Sequence, residues 1–285
     1  MTLYDLTKRP DLDHPVLIVA LEGWIDAGAG AEKARDILLD QLDTRLVATF
    51  DTDTLLDYRA RRPIMHLHDG VNTGLTWSSI ELHAATDRSG NDLLILAGVE
   101  PDHAWKQFCR EVVDLAVELG ARLLCGIGAY PAAVPHTRPT MLSATASDDD
   151  LAEAVGLIRG SIDVPAGVEA ALEEECKRVG LPAVGLWAQV PHYASAMSFP
   201  GASLALLEGL ERVAQLEFAH GDLVSETATT KTRLDSLVAD SEEHLEMVRQ
   251  LEAHADQLRA DGGDRLPSGD ELAAELQRFL REQGD

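Results

Sequence analysis

Val16-Leu17-Ile18-Val19-Ala20, running straight into Leu21-Glu22-Gly23-Trp24-Ile25-Asp26-Ala27-Gly28-Ala29-Gly30, is the stretch that decides the fold class. Five consecutive apolar residues without alternation are what a strand covered on both faces requires. The glycine-rich turn after it opens a helical pattern over residues 27–41, so the segment reads as one βα unit. The same unit recurs. Leu93-Leu94-Ile95-Leu96-Ala97, Arg122-Leu123-Leu124-Cys125-Gly126-Ile127 and Ala183-Val184-Gly185-Leu186-Trp187-Ala188 are further buried strands. Helical patterns over 103–119 and 167–179 end at Gly120 and Gly180, where glycine supplies the left-handed cap. Strand and helix alternating at this spacing predict an α/β fold, a mostly parallel sheet between two layers of helices. Arg45–Phe50, Ile64–His68 and residues 75–84 are more mixed in polarity and read as edges or a smaller antiparallel section.

Beyond residue 204 no apolar strand follows, which divides the chain into an α/β domain, 1–204, and an acidic helical extension, 205–285. The extension is expected as a helical hairpin plus a final helix. Residues 203–219 are helical, Gly221 breaks the pattern, and Asp222 is placed to cap a helix reaching about residue 260. Within it Leu234, Val238, Ser241, Leu245 and Val248 step by four and three, a heptad seam. A helix of about 38 residues spans roughly 57 Å, more than its neighbour can cover. The α/β body, the last helix or another subunit must cover the rest, and Leu234, Val238, Leu245 and Val248 are the candidate oligomer or partner contacts. Ser268 and Glu271 form a capping box before a last amphipathic helix.

With 24 basic and 49 acidic side chains the formal charge is −25. Such a surface repels phosphate backbones and anionic headgroups, which argues against nucleic acid and membrane partners. No run of 18 apolar residues occurs, and the first residues lack the basic and apolar regions of a signal peptide. Cys109, Cys125 and Cys176 are odd in number and widely spaced, as expected of buried thiols in a reducing, cytoplasmic compartment. The extension carries 19 acids and 8 bases, a denser negative charge than the domain before it.

The common catalytic signatures are missing. Gly126-Ile127-Gly128-Ala129 starts like a dinucleotide fingerprint, but Pro131 and Pro135 prevent the helix that would hold a pyrophosphate. No Walker A loop or Gly-x-Ser-x-Gly elbow is present, no cofactor is expected, and no histidine pair has the close spacing of metal ligands. Three strand-end segments remain. Glu22, Trp24 and Asp26 lie where α/β folds build their sites, with Asp26 also suited to cap the following helix. Gly128-Ala129-Tyr130-Pro131-Ala132-Ala133-Val134-Pro135-His136-Thr137-Arg138-Pro139 is held extended by its prolines, so His136 and Arg138 share a face. An imidazole beside a guanidinium suits an anionic or carbonyl ligand. Trp187-Ala188-Gln189-Val190-Pro191-His192-Tyr193 repeats the pattern, which would bring His192 and Tyr193 toward the same crevice.

Together, Gly23-Trp24-Ile25-Asp26-Ala27-Gly28, Glu100-Pro101-Asp102, Val134-Pro135-His136-Thr137-Arg138-Pro139 and Trp187–Tyr193 resemble the proteasome assembly chaperone 2 family, most closely its actinobacterial members. The resemblance spans about residues 1–204. It implies a three-layer α/β/α sandwich akin to the phosphorylase/hydrolase-like fold, with a helical C-terminal extension and no established catalytic residues. It further implies a chaperone that helps proteasome α-subunits assemble. The last residues, Arg281-Glu282-Gln283-Gly284-Asp285, lack the hydrophobic–tyrosine tail that some proteasome-binding proteins use, so contact is expected through the body or arm. The expectation is thus a homo-oligomeric protein acting by protein–protein contact. The alternative is a ligase, hydrolase or phosphorylase binding an anionic or nucleoside-like ligand in the crevice of Glu22, Trp24, Asp26, His136, Arg138, His192 and Tyr193.

Overall fold

In the computed structural model, which describes residues 2–23, 25–147, 151 and 163–260, the Val16 strand is buried on both sides. Val16, Ile18 and Ala20 join one hydrophobic cluster; Leu17, Val19 and Leu21 join another. Side chains alternate across a strand, so each parity belongs to one face of the sheet. That single strand needs a layer of helices above and below.

The first half of the described chain contains β1 (Tyr4–Leu6), β2 (Val16–Glu22), α1 (Gly30–Gln41), β3 (Arg45–Phe50), α2 (Thr52–Leu55), β4 (Ile64–His68), β5 (Val71–Thr76), β6 (Ile80–Thr86) and β7 (Asp92–Val99). The second contains α3 (Trp105–Glu118), β8 (Leu123–Ala132), β9 (Leu142–Ala146), α4 (Val168–Val179), β10 (Ala183–Pro191), α5 (Pro200–Ala214), α6 (Leu223–Ala239) and α7 (Glu242–Ala260). Eight strands form one sheet in the order β1-β3-β6-β7-β2-β8-β10-β9. The central four, β7-β2-β8-β10, are parallel, and both flanks pair antiparallel. Helices α1 and α5 cover the even-residue face of β2, and α3 and α4 the odd-residue face. This is the predicted α/β fold, and of the mixed-polarity segments β3 and β6 lie in one antiparallel flank.

Three expectations are corrected. Residues 75–84 do not form one strand: β5 ends at Thr76 and β6 begins at Ile80, because β4 and β5 leave the main sheet as a separate hairpin. The helix before residue 41 is divided by Gly28 and Ala29, both at positive φ, into a 3-10 turn at Ala27–Ala29 and α1. The long helix after Asp222 is also two helices, broken at Asp240 and Ser241, and Asp222 makes no side-chain cap. Asp235 on α6 and Glu252 on α7 reach adjacent residues, His136 and Thr137. On one straight helix those acids would stand about 25 Å apart, so α7 folds back along α6. The seam is consequently closed within the chain. Leu234, Val238 and Val248 are buried and Leu245 is half-buried, with Leu234 part of the core cluster under α5. The capping box at Ser268 and the last helix lie outside the described residues.

Three glycines on the α4 side of the sheet make the packing there depend on bare backbone. Gly126 and Gly128 of β8 face Gly185 and Trp187 of β10 in register. A Cβ on Gly128 would stand 2.3 Å from the Trp187 ring, and one on Gly126 3.0 Å from Glu169 Oε2. We expect Gly128→Ala to cost about 1–3 kcal/mol in urea denaturation by overpacking. Trp187→Leu in the same background should recover part of that loss; a purely additive double mutant would rule out the contact as the cause.

Candidate functional site

The site begins where β2 leaves β8. The two strands pair from Val16 and Leu123 to Val19 and Gly126, separate, and meet again at a bridge between Asp26 and Ala129. Seven steps along one chain thus match three along the other, and the surplus bows outward. The helix after β2 leads toward β3 on one side of the sheet, whereas the chain after β8 leads toward β10 on the other. Between strands whose connections diverge, α/β sheets open a crevice at the strand ends. Here it is a cavity of about 30 Å³ lined by Gly23, Ile25, Asp26, Glu100, Glu169 and Trp187, among others.

Its polar walls are acidic. Asp26 accepts the Ala31 and Glu32 amides at 2.8 and 2.9 Å, so it caps α1 as its position suggested. Burial nevertheless raises its pKa against those bonds. Glu100, at the end of β7, accepts the Val168 amide at 2.5 Å and so caps α4; burial raises its pKa too. Glu169 sits on the first turn of α4 with its Oε2 buried and without a hydrogen-bond partner among the described residues. Burial, then Glu173, Glu100 and Asp26, hold its pKa well above the ordinary carboxylate range. One turn on, Glu173 accepts Thr145 Oγ1 at 2.7 Å, and burial raises its pKa to about 7.

Glu22 lies at the rim rather than in the cavity, its half-exposed carboxylate bound to Arg35 Nη1 at 2.9 Å. Trp24 lies outside the described residues. The second and third predicted loops do converge. His136 is buried; its amide donates to Tyr193 Oη at 2.9 Å, and its Nδ1 lies 2.7 Å from the same oxygen. That oxygen, accepting from the amide, donates its proton to Nδ1, which leaves Nε2–H to donate to Asp235 at 3.2 Å. Burial lowers the His136 pKa and outweighs Asp235, so the ring is neutral at pH 7. Burial raises Tyr193 to about 12. His192 is exposed and meets the Tyr193 ring edge-on, centroids 5.3 Å apart.

Arg138 does not face the crevice as an open anion site. Its Nε and Nη2 grip Asp256 at 2.8 and 2.6 Å, and Nη1 holds Glu252 at 3.1 Å. Thr137 Oγ1 donates to the same Glu252 oxygen at 2.6 Å, and Lys231 reaches the Thr137 carbonyl at 3.4 Å. The acidic arm therefore occupies the guanidinium that was expected to receive a ligand. A second cavity of about 230 Å³ lies between this loop and α6, lined by Arg138, Thr140, Phe199, Thr227 and Lys231. Among the described residues no group of three or more His, Cys, Asp or Glu is arranged as metal ligands.

The first loop joins the third through the backbone, Gly28 N–H to the Ser195 carbonyl at 2.8 Å and Phe199 N–H to the Gly28 carbonyl at 2.9 Å. Glu169 and Glu173 were not among the candidate residues that the sequence offered. Their signal was spacing: Glu169, Leu172, Glu173 and Cys176 occupy one face of α4 that is otherwise apolar.

The PAC2 family model matches residues 20–238. The chain belongs to the PAC2 family. No curated protein matches the sequence significantly. A Mycobacterium tuberculosis protein of unknown function is 35% identical over 99% of this chain and 97% of its own, with a TM-score of 0.85. A proteasome-assembly chaperone homologue from the same organism is 31% identical over 82% of this chain and 99% of its own, TM-score 0.76. A PAC2 family protein from Streptomyces avermitilis is 35% identical over 82% and 99%, TM-score 0.74. The PAC2 match begins inside β2 and ends inside α6, so it takes in the strand ends and the first half of the arm.

Two measurements test this architecture. In Arg138→Ala the forked contact to Asp256 and Glu252 is gone, and amide exchange in α7 should rise while that of β2 and β8 is unchanged. Arg138→Lys should protect only partly, because an ammonium cannot reproduce the fork. The second concerns Glu173. Its folded pKa lies above the unfolded value of 4.5, so its contribution to stability is full below about pH 4.5 and is lost as pH rises through about 7. Glu173→Gln should therefore be more stable than the parent at pH 8, by on the order of 2 kcal/mol, and the gap should close by pH 5.

Proposed function

We propose that this PAC2 chain is a proteasome-assembly-chaperone-like protein that works by protein–protein contact, and that the β4–β5 hairpin is its self-association surface. The observation that carries the proposal is the hairpin's exposure. Every residue of both strands is exposed, and Ile64, Met65, Leu67 and Val71 each keep between 52% and 64% of their surface open. An isolated two-stranded hairpin is marginal in water, and a contiguous apolar patch of this kind marks an interaction site. At its foot Tyr58 and Trp77 pack edge to face with centroids 4.7 Å apart, which anchors the base and leaves the tip projecting.

Charge favours a second copy as the occupant. Arg59 and Arg62 are exposed beside the hairpin and make no ion pair among the described residues, in a chain whose net charge is −25. An apolar finger with two arginines at its foot, on an acidic body, is complementary to another such body. The resulting oligomer would then offer its combined surface to proteasome α-subunits, a reading supported by the 31% identical assembly-chaperone homologue. The neutral His136 and the occupied Arg138 add no nucleophile or open anion site that would favour catalysis on an anionic substrate.

Light scattering after gel filtration should give a multiple of the 30.8 kDa chain mass for the parent and about one chain mass for Ile64→Asp/Leu67→Asp. Both positions are exposed, so the variant should keep its circular dichroism and melting point. A monomeric parent would remove the self-association claim. Separately, immobilised parent protein should retain purified proteasome α-subunits; failure to do so at micromolar concentration would remove the chaperone claim.

A further inference from the structure

We propose that the strand-end cavity is a binding site for a primary ammonium group, held by Asp26, Glu100 and Glu169 against the ring of Trp187. The site is separate from the hairpin and from the arm, and does not depend on either contact. Its carboxyls and its indole come from four segments: the bowed continuation of β2, the end of β7, the first turn of α4, and β10.

The polar groups leave acceptors unused. Glu100 gives Oε1 to the Val168 amide, while its Oε2 lies beside Gly23, 3.7 Å from where a Cβ would stand. Glu169 is the decisive group. It is nine-tenths buried, lines the cavity, and its Oε2 has no hydrogen-bond partner among the described residues. A buried carboxylate oxygen left bare is costly, so a ligand that supplies a donor there is favoured. Among the described residues no lysine or arginine lines the cavity. An anion would meet three acids, whereas a cation would compensate them.

Size narrows the class. A cavity of about 30 Å³ holds one group the size of a water molecule. A terminal –NH3⁺ is of that size and carries three donors, one for each carboxyl, whereas guanidinium and quaternary ammonium groups are larger. The six-membered ring of Trp187 lies against Gly128 and lines the cavity, an aromatic neighbour of the kind that attracts ammonium ions. The rest of the ligand must stay outside, so the class is a chain ending in a primary amine. That chemistry is shared by free alkyl amines and by a lysine side chain.

The charged groups acting on the trio are Glu173 on α4, Arg35 on α1, and Arg61 and Asp102 beside Glu100. Because burial raises all three carboxyls, Glu169 most, cation binding should displace protons, and affinity should strengthen as pH rises.

The test uses the full chain with n-butylammonium chloride as probe, followed by calorimetry and melting temperature, and tetramethylammonium chloride at equal ionic strength as control. Butylammonium should raise the melting temperature and release heat of binding, and tetramethylammonium should do neither. Glu169→Gln should weaken butylammonium binding at least tenfold. Nuclear Overhauser contacts from butylammonium methylenes to Trp187, assigned with Trp187→Phe, should be present in the parent, which covers a Glu169→Gln that does not fold. Equal responses to the two cations, parent-like binding by Glu169→Gln, or absent Trp187 contacts would each overturn the site. Once binding is seen, 1,4-diaminobutane against a short lysine-containing peptide identifies the source: the tighter of the two is the natural form.

Discussion

Everything in this molecule hangs on β2 being buried on both faces while paired in parallel with β7 and β8. Burial on both faces demands two helical layers, and parallel pairing on both sides demands that each neighbour return by a crossover. Those demands place α1 with α5 on one face and α3 with α4 on the other. When β2 parts from β8 after Val19, the strand ends open at one place only along that pair, and the bridge at Asp26 closes it again. The crevice is thus a consequence of register, not of a loop added to the surface.

Charge is distributed in two different ways around that opening. Inside, Glu100 and Glu169 are buried with Asp26 and Glu173 half-buried beside them, and desolvation rather than a hydrogen bond dominates each of them. Outside, the acidic arm meets the few basic groups of the strand-end loops, with Asp235 at His136 and the pair Glu252 and Asp256 at Arg138. The arm's negative charge therefore has a destination within the chain. That destination occupies the guanidinium that, beside an imidazole, suggested an anion site.

The β4–β5 hairpin follows neither pattern. It contributes nothing to the two core clusters and places its apolar side chains in water. A fold that buries β2 so completely has no internal need for such a finger, which is the ground for proposing it as a contact surface.

Much of this was legible in the residues. Continuous apolar runs at Val16, Leu93, Leu123 and Ala183 announced the four parallel strands, because only a strand covered twice can dispense with polar alternation. Gly120 and Gly180 marked helix ends, and Asp26 its cap, because these are local demands of backbone geometry. Pairing across long distances was not local. That α7 turns back on α6 depended on Asp235, Glu252 and Asp256 finding a loop about 100 residues earlier, and a heptad count cannot see such partners. Likewise Glu169 and Glu173 look like any solvated helix acids until Gly126 and Gly185, on neighbouring strands, show that no side chain stands between them and the sheet. Local periodicity determined the elements and their layers. Tertiary structure alone decided which charges are buried together and which are paired, because burial and Coulomb energy depend on distance in space rather than along the chain.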